Sequence, residues 1–408
     1  MKKLLAISYC FPPVASPEAY VSAKLMGAMS QFEVDVISAD SALFPNQPDH
    51  SLDQYVKQRF GRIERISAPE LLRRFMLMPR IPLRPDRYIL LRSLALQRAL
   101  TMSPARYDAI LTRSQYHSAH LVGLTLKKRF PKLPWVASFS DPWTGGIYER
   151  NVPILSAISA RLERAVLSAA DGFIFPTREM QDFVARLHPD IDIANRSEII
   201  PHGYDPELYP SAKANSTKDP IHIRMFGSFY GPRSPQPLLK ALNLLAEQPG
   251  RPAFCVEVYG RNGVVLLQAL KDYPRLGSIV HHRGELDHAS ALYAMADADI
   301  LTMIDAPMPP PSIFMPSKLA DYIGARRPII AITPAGAAAN IVRQIGGHVA
   351  DPQEPESIVG ALKQALLQSL QRSHTNEAMD ASARRPYLVA NLARHLENAI
   401  ERVIVANA

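Results

Sequence analysis

Residues 109–139 read AILTRSQYHSAHLVGLTLKKRFPKLPWVASF, and this stretch decides the fold class. Residues 109–112 and 135–139 are short apolar runs of strand length, and residues 118–129 between them are amphipathic. Strand, helix and strand in about thirty residues make a βαβ unit, whose two strands lie parallel in one sheet. The alternation extends outward in both directions. Residues 4–8, 34–38, 172–176 and 198–201 read as further buried strands, with a helix over 154–170. A polar segment, 204–220, interrupts the pattern and reads as a linker. Strands are then expected at 221–226, 254–259, 279–282, 300–304, 329–333 and 348–350, and helices at 236–247, 289–297, 317–326 and 355–372. Two α/β domains with parallel sheets follow, residues 1–203 and 221–384, and the amphipathic segment inside 385–408 is left to return to the first of them.

Composition agrees with two packed cores. Of 408 residues 47% are apolar and 21% charged, which excludes a disordered, collagenous or coiled-coil chain. Prolines number 36 against 19 glycines, and they are scattered among apolar segments, as loop-setters are. Cys10 and Cys255 are the only cysteines, so neither a disulfide framework nor a CxxC metal site is available and a reducing compartment is expected. Tyr9, Pro12 and Pro13 come too early for the apolar stretch of a signal peptide, and no run of 18 uninterrupted apolar residues occurs. A cytoplasmic location follows as an expectation.

The net charge of +8 is local. Between Lys57 and Arg106 twelve basic residues face only Glu64, Glu70 and Asp86, and they are interleaved with Phe60, Leu71, Leu72, Phe75, Met76, Leu77 and Met78. Such a mixture suits the anionic surface of a membrane, so peripheral attachment to the inner face of the cell membrane through 57–106 is expected. A solvated helix face is the plainer alternative. No nucleic-acid motif accompanies the patch, so nucleic acid is not expected as a partner.

In parallel α/β sheets ligands sit beyond the carboxyl ends of the strands, in the strand-to-helix loops. No GxGxxG and no GxxxxGK[ST] is present, which argues against dinucleotide-dependent oxidoreduction and P-loop nucleotide hydrolysis. Three other clusters stand at or near such loops: Ala137-Ser138-Phe139-Ser140-Asp141-Pro142-Trp143, Ile200-Pro201-His202-Gly203-Tyr204-Asp205, and Pro316-Ser317-Lys318-Leu319-Ala320-Asp321-Tyr322-Ile323 followed by Arg327-Pro328. With Phe11-Pro12-Pro13 near the start and Gly227-Ser228-Phe229-Tyr230-Gly231-Pro232-Arg233 opening the second domain, they make the chain resemble a family-4-type retaining glycosyltransferase of the GT-B fold over nearly its whole length.

The resemblance implies two Rossmann-like, doubly wound domains facing across a cleft, the last helix crossing back to the N-terminal domain. It implies an acceptor held mainly by the first domain and a nucleotide-sugar donor by the second, with no DxD-bound metal and no further cofactor. Asp297-Ala298-Asp299 and Asp190-Ile191-Asp192 accordingly read as chance strings. His117 and His120 lack a Cys or acidic partner in register for zinc. Whether the donor is UDP- or GDP-linked stays open, as does the acceptor, lipid-linked or an oligosaccharide.

A departing nucleoside diphosphate gathers negative charge on its phosphate oxygen, and without a metal this must be met by cations and helix N-terminal amides. Arg233 and Lys318 are the expected cations; Gly227, Ser228 and Ser317 stand beside them in the same motifs. Arg233 takes the place of the family's lysine, and Ser228 stands where many relatives carry arginine. Asp321 matches the second acid of the family's Glu-x7-Glu element, which holds the donor ribose, whereas the first acid falls at Ile313 and is missing. In the first domain Asp141 and His120 are expected to serve the acceptor or the reacting centre, and Trp143 to pack or to stack on sugar. The function expected is glycosyl transfer to a lipid-linked or polysaccharide acceptor in cell-surface polysaccharide assembly. The missing acid keeps a catalytically silent GT-B partner protein in view, and a GT-B nucleotide-sugar epimerase is the third reading.

Overall fold

The computed structural model describes residues 1–78, 83–146, 152–210, 219–261, 263–306, 308, 310–371 and 381–408. The chain divides into two units, Met1–Gly203 with Val389–Ala408, and Tyr204–Leu388. Every apolar run read as a strand forms one.

In the first unit β1 (Lys2–Ser8), β2 (Phe32–Ala39), β3 (Ile63–Ile66), β4 (Ala109–Arg113), β5 (Trp135–Ser138), β6 (Gly172–Phe175) and β7 (Ser197–Ile199) form one parallel sheet in the order β3-β2-β1-β4-β5-β6-β7. Leu4 lies opposite both Val34 and Ala109. Leu4, Leu5, Ala6 and Ile7 have no exposed surface on either side, which is why this strand shows no alternation in sequence. The helix Ser118–Arg129 approaches the sheet closely at Gly123, where an added Cβ would stand 2.5 Å from the Trp135 indole. The final helix, Val389–Asn407, belongs to this unit. Its Glu397 accepts hydrogen bonds from the amides of Ser30 and Gln31 at 2.5 and 2.7 Å, and Val403 lies over Gly172.

In the second unit β8 (Ile221–Phe226), β9 (Phe254–Tyr259), β10 (Val280–Gly284), β11 (Ile300–Ile304), β12 (Ile329–Ile332) and β13 (His348–Ala350) form a parallel sheet in the order β10-β9-β8-β11-β12-β13. One face packs Ile223, Val256, Ile300 and Ile330 against Leu238, Leu242, Ile358 and Leu362 of the helices Gln236–Ala246 and Pro355–Gln371. The other buries Leu301, Met303 and Ala331 under Leu319, Ile323 and Val342. Tyr204 opens this unit, donating its amide to the Tyr387 carbonyl at 2.9 Å and pairing with Leu388. Residues 211–218 of the segment read as a linker lie outside the described residues.

Strand order reverses once in each sheet, between β1 and β4 and between β8 and β11. At such a point neighbouring loops diverge and leave a crevice, so the loops after these four strands are where chemistry belongs. Among the described residues no helix is long and apolar enough to cross a membrane.

Candidate active site

In the second unit the loops after β8 and β11 bring Arg233, Asp305 and Lys318 together. Gly227 follows β8 with φ +128, a conformation side chains disfavour. An added Cβ there would stand 2.8 Å from Lys318 Nζ, so the glycine leaves room for the ammonium to donate to the Phe226 carbonyl at 3.1 Å. Burial, reinforced by the Arg233 charge and opposed by Asp305, brings the Lys318 pKa down to about 7. Arg233 Nη2 donates to Asp305 Oδ1 at 3.4 Å, with side-chain exposures of 10% and 4%. The same Asp305 oxygen accepts from the Ala306 amide at 2.8 Å. Arg233 Nε and Asp305 Oδ2 are buried with no hydrogen-bond partner among the described residues. The Arg233 guanidinium also lies over the Tyr230 ring, 5.0 Å from its centroid.

Ser317 and Lys318 open the helix Ser317–Ala325, whose N-cap is Pro316 and whose first amides receive no side-chain cap. Ser228 Oγ accepts from the Arg261 amide at 3.0 Å, which pins the loop after β9 beside the loop after β8. Asp321 is buried one turn into the helix, its carbonyl taken by Tyr209 Oη at 2.9 Å. Ile313 is buried as well. The structure thus gathers Gly227, Arg233, Ser317 and Lys318 around one point, with Ser228 on the adjoining loop, and adds Asp305. That carboxylate carries no motif in the sequence; its link to Arg233 spans 72 positions.

The first unit builds a different surface after β4 and β5. Trp135 Nε1 donates to Thr112 Oγ1 at 2.9 Å, and the same hydroxyl shares a hydrogen bond with His120 Nδ1 at 2.8 Å. Burial pushes the His120 pKa well below the ordinary imidazole value, and the neighbouring His117 and Arg113 push it the same way. Burial also brings the His117 pKa down to about 3, while the Pro142 carbonyl accepts from its ring. His117 Nδ1 is left as an acceptor. His117 stacks on Trp143 with ring centroids 5.0 Å apart, and His120 stands 6.1 Å from both rings. His117 Nδ1, His120 Nε2, Trp143 Nε1 and Tyr9 Oη are all buried without a partner among the described residues. Asp141 accepts from Gln115 Nε2. Burial raises its carboxyl pKa, and the Gln115 bond offsets part of the shift. Beneath this loop Arg113 donates to Glu18 at 3.0 Å, Ser22 at 2.8 Å and Ser138 at 3.1 Å, and Ser140 Oγ donates to Glu18 at 2.7 Å.

Much of the basic segment 57–106 serves the fold. Arg65 donates to the Pro12 carbonyl and Ser38, Arg87 to the Met76 carbonyl, and Arg92 to Thr125. Arg62 and Arg98 pair with Glu64, and Arg73 and Arg74 with Glu70. Both DxD strings have structural partners: Asp297 pairs with Arg224, Asp299 accepts from the His222 amide, Asp190 pairs with Arg164 and Asp192 accepts from Asn195. Among the described residues no group of three His, Cys, Asp or Glu side chains could hold a metal ion.

Residues 23–201 match the model of the glycosyl transferase 4-like domain. No curated protein sequence matches the chain. Among solved structures, sucrose-phosphate synthase from Thermosynechococcus elongatus is 17% identical with a TM-score of 0.68, the match covering 100% of both chains. HepE of Anabaena, in complex with UDP and glucose, is 15% identical with a TM-score of 0.67, over 98% of this chain and 100% of that one. The N-terminal domain of Candida albicans trehalose-6-phosphate phosphatase is 13% identical with a TM-score of 0.71, over 99% of this chain and 97% of that one. At these identities the likeness establishes the fold. The chain is thus similar to a glycosyl transferase 4-like domain over residues 23–201, within a GT-B fold that runs its full length.

Proposed function

We propose that this protein transfers a sugar, with retention of configuration, from a nucleotide-sugar to a lipid-linked or polysaccharide acceptor in cell-surface polysaccharide assembly. The observation that carries the proposal is the pair Arg233 and Lys318 at the reversal point of the second sheet, beside the N-terminus of the helix Ser317–Ala325. Two cations and uncapped amides at one point suit a diphosphate. In the reaction the bond between the anomeric carbon and the phosphate oxygen breaks with its electron pair on the oxygen, and the acceptor hydroxyl oxygen takes the carbon. Its proton passes to the departing phosphate. Arg233 and Lys318 stabilise charge that is larger in the transition state than in the bound donor, so they act on rate as well as on binding. Asp321 would hold ribose hydroxyls, and no divalent metal is required. The UDP bound by the Anabaena relative supports a uridine nucleotide as the first donor to try.

The test is release of nucleoside diphosphate from UDP- and GDP-sugars in the presence of bacterial lipid and polysaccharide acceptors, with and without EDTA. Acceptor-dependent release that survives EDTA is expected. Nucleotide binding with no release under any acceptor would establish instead the silent GT-B protein, which buried Ile313 in place of an acid favours.

A further inference from the structure

We propose that Asp305 is a built-in counter-anion of the diphosphate site, which occupies Arg233 in advance of the donor and weakens the hold of the site on the released nucleoside diphosphate. The inference rests on the assignment of Arg233 and Lys318 to the phosphates.

Three features of the geometry carry it. Asp305 follows β11 directly and is fixed from its own backbone, Oδ1 accepting from the Ala306 amide at 2.8 Å. It cannot swing aside without breaking that bond. Oδ1 also meets Arg233 Nη2, but at 3.4 Å, a long contact for a charge-assisted bond, which is made nearer 2.8 Å where geometry allows. Finally, Arg233 Nε and Asp305 Oδ2 are both buried and unpartnered among the described residues, so the pair leaves a donor and an acceptor unused. A pair built only to stabilise the fold would close as a fork, two parallel N–H···O bonds, and satisfy both atoms. This one keeps donor capacity for another anion.

Lys318 shares the field. Its ammonium faces the Phe226 carbonyl on the β8 side, Arg233 from the loop beyond, and Asp305 from β11. Asp321 lies one turn further along its own helix. An arriving diphosphate favours the charged form of Lys318, so binding near neutral pH takes up a proton. Removing Asp305 lowers the share of Lys318 already charged beforehand and enlarges that uptake. It also removes a negative charge from the place where two more must sit. Loss of a full negative charge exceeds the partial loss of positive charge on Lys318, so the balance favours tighter binding.

Calorimetric titration of the full chain with UDP and with GDP, in two buffers of different ionisation enthalpy, tests this. Wild-type protein should take up a fraction of a proton per nucleotide at neutral pH, approaching one at about pH 8, with affinity falling as pH rises. Asp305→Asn should bind the nucleotide roughly tenfold more tightly, with larger uptake at neutral pH. Asp305→Ser, which keeps an oxygen for the Ala306 amide, should do the same; Asp305→Glu, which keeps the charge, should not. Unchanged or weaker binding by the folded Asn and Ser variants, or no proton uptake by wild type, overturns the proposal. If Lys318→Ala meanwhile abolishes binding, the phosphate assignment stands and the counter-anion alone fails; if wild type binds neither nucleotide, both fall.

Discussion

The two sheets reverse strand order in the same way, yet the loops at or next to the two reversal points carry opposite chemistry. After β8 and β11 the polar atoms are charged: Arg233, Asp305 and Lys318, with a helix N-terminus beside them. After β4 and β5 the unpartnered atoms belong to neutral rings. His117, His120 and Trp143 each keep a buried ring nitrogen without a partner among the described residues, and the His117 and Trp143 rings stack. Burial is the common device. It keeps the imidazoles neutral in one unit and makes Lys318 readily titratable in the other. An anion gains most from the second arrangement, and a neutral ligand rich in hydroxyls from the first. Under the proposed function, the donor phosphates would go to the charged unit and sugar hydroxyls to the neutral one.

The largest expected effect breaks the charged side. Lys318→Ala and Arg233→Ala should each cost about 10²–10³ in kcat, the scale for losing one preorganised group aimed at developing charge. UDP affinity should fall as well. Steady-state kinetics with the preferred donor decides it, and a variant with wild-type kcat would remove that residue from the phosphate site.

Substitutions on the neutral side should act in the opposite pattern. Trp143→Phe keeps the ring over His117 and removes one buried N–H, so acceptor KM should rise by about fivefold, the value of one ordinary hydrogen bond, while UDP affinity stays unchanged. Asp141→Asn should lower kcat by about tenfold or more for the same acceptor, again without touching UDP affinity. Kinetics varying the acceptor, paired with UDP titration, separates the two units. A fall in UDP affinity for either variant would collapse the contrast between them.

The fold was legible because most buried parallel strands write themselves as apolar runs, and twelve of the thirteen strands overlap segments read as strands. The thirteenth, β3, reads Ile63-Glu64-Arg65-Ile66 at the sheet edge. Its charged residues answer to partners elsewhere: Glu64 to Arg62 and Arg98, Arg65 to Pro12 and Ser38. Within a basic segment it looks like surface. The cations of the candidate site were legible for a related reason, since Gly227, Arg233 and Lys318 sit in motifs a few residues long. Asp305 was not. Nothing local marks a carboxylate whose partner lies 72 residues away, and the same holds for Glu18, whose guanidinium partner Arg113 is 95 away. Charge counting failed differently: a sum over 57–106 cannot reveal that Glu70 already holds Arg73 and Arg74.

That correction shapes the smallest expected effect, at the membrane. The helix Glu70–Leu77 is exposed along one flank, Leu71 at 83%, with Phe75, Leu77 and Met78 also open to solvent. Its two arginines are shared with Glu70, and Arg80 lies outside the described residues. In the expected attachment, apolar insertion would therefore carry more of the binding than the count of basic residues implies, and charge would mainly select anionic lipid. In liposome sedimentation, binding should require anionic lipid and weaken with salt. Leu71→Ser with Phe75→Ser should reduce it by about tenfold, and Arg73→Gln by less than about fivefold, because that arginine already answers to a carboxylate. Neither change lies at the reversal points, so turnover of a water-soluble acceptor analogue should be unaffected. Equal binding to neutral vesicles would remove the electrostatic part of this account, and an Arg73→Gln loss larger than the apolar one would remove the apolar part.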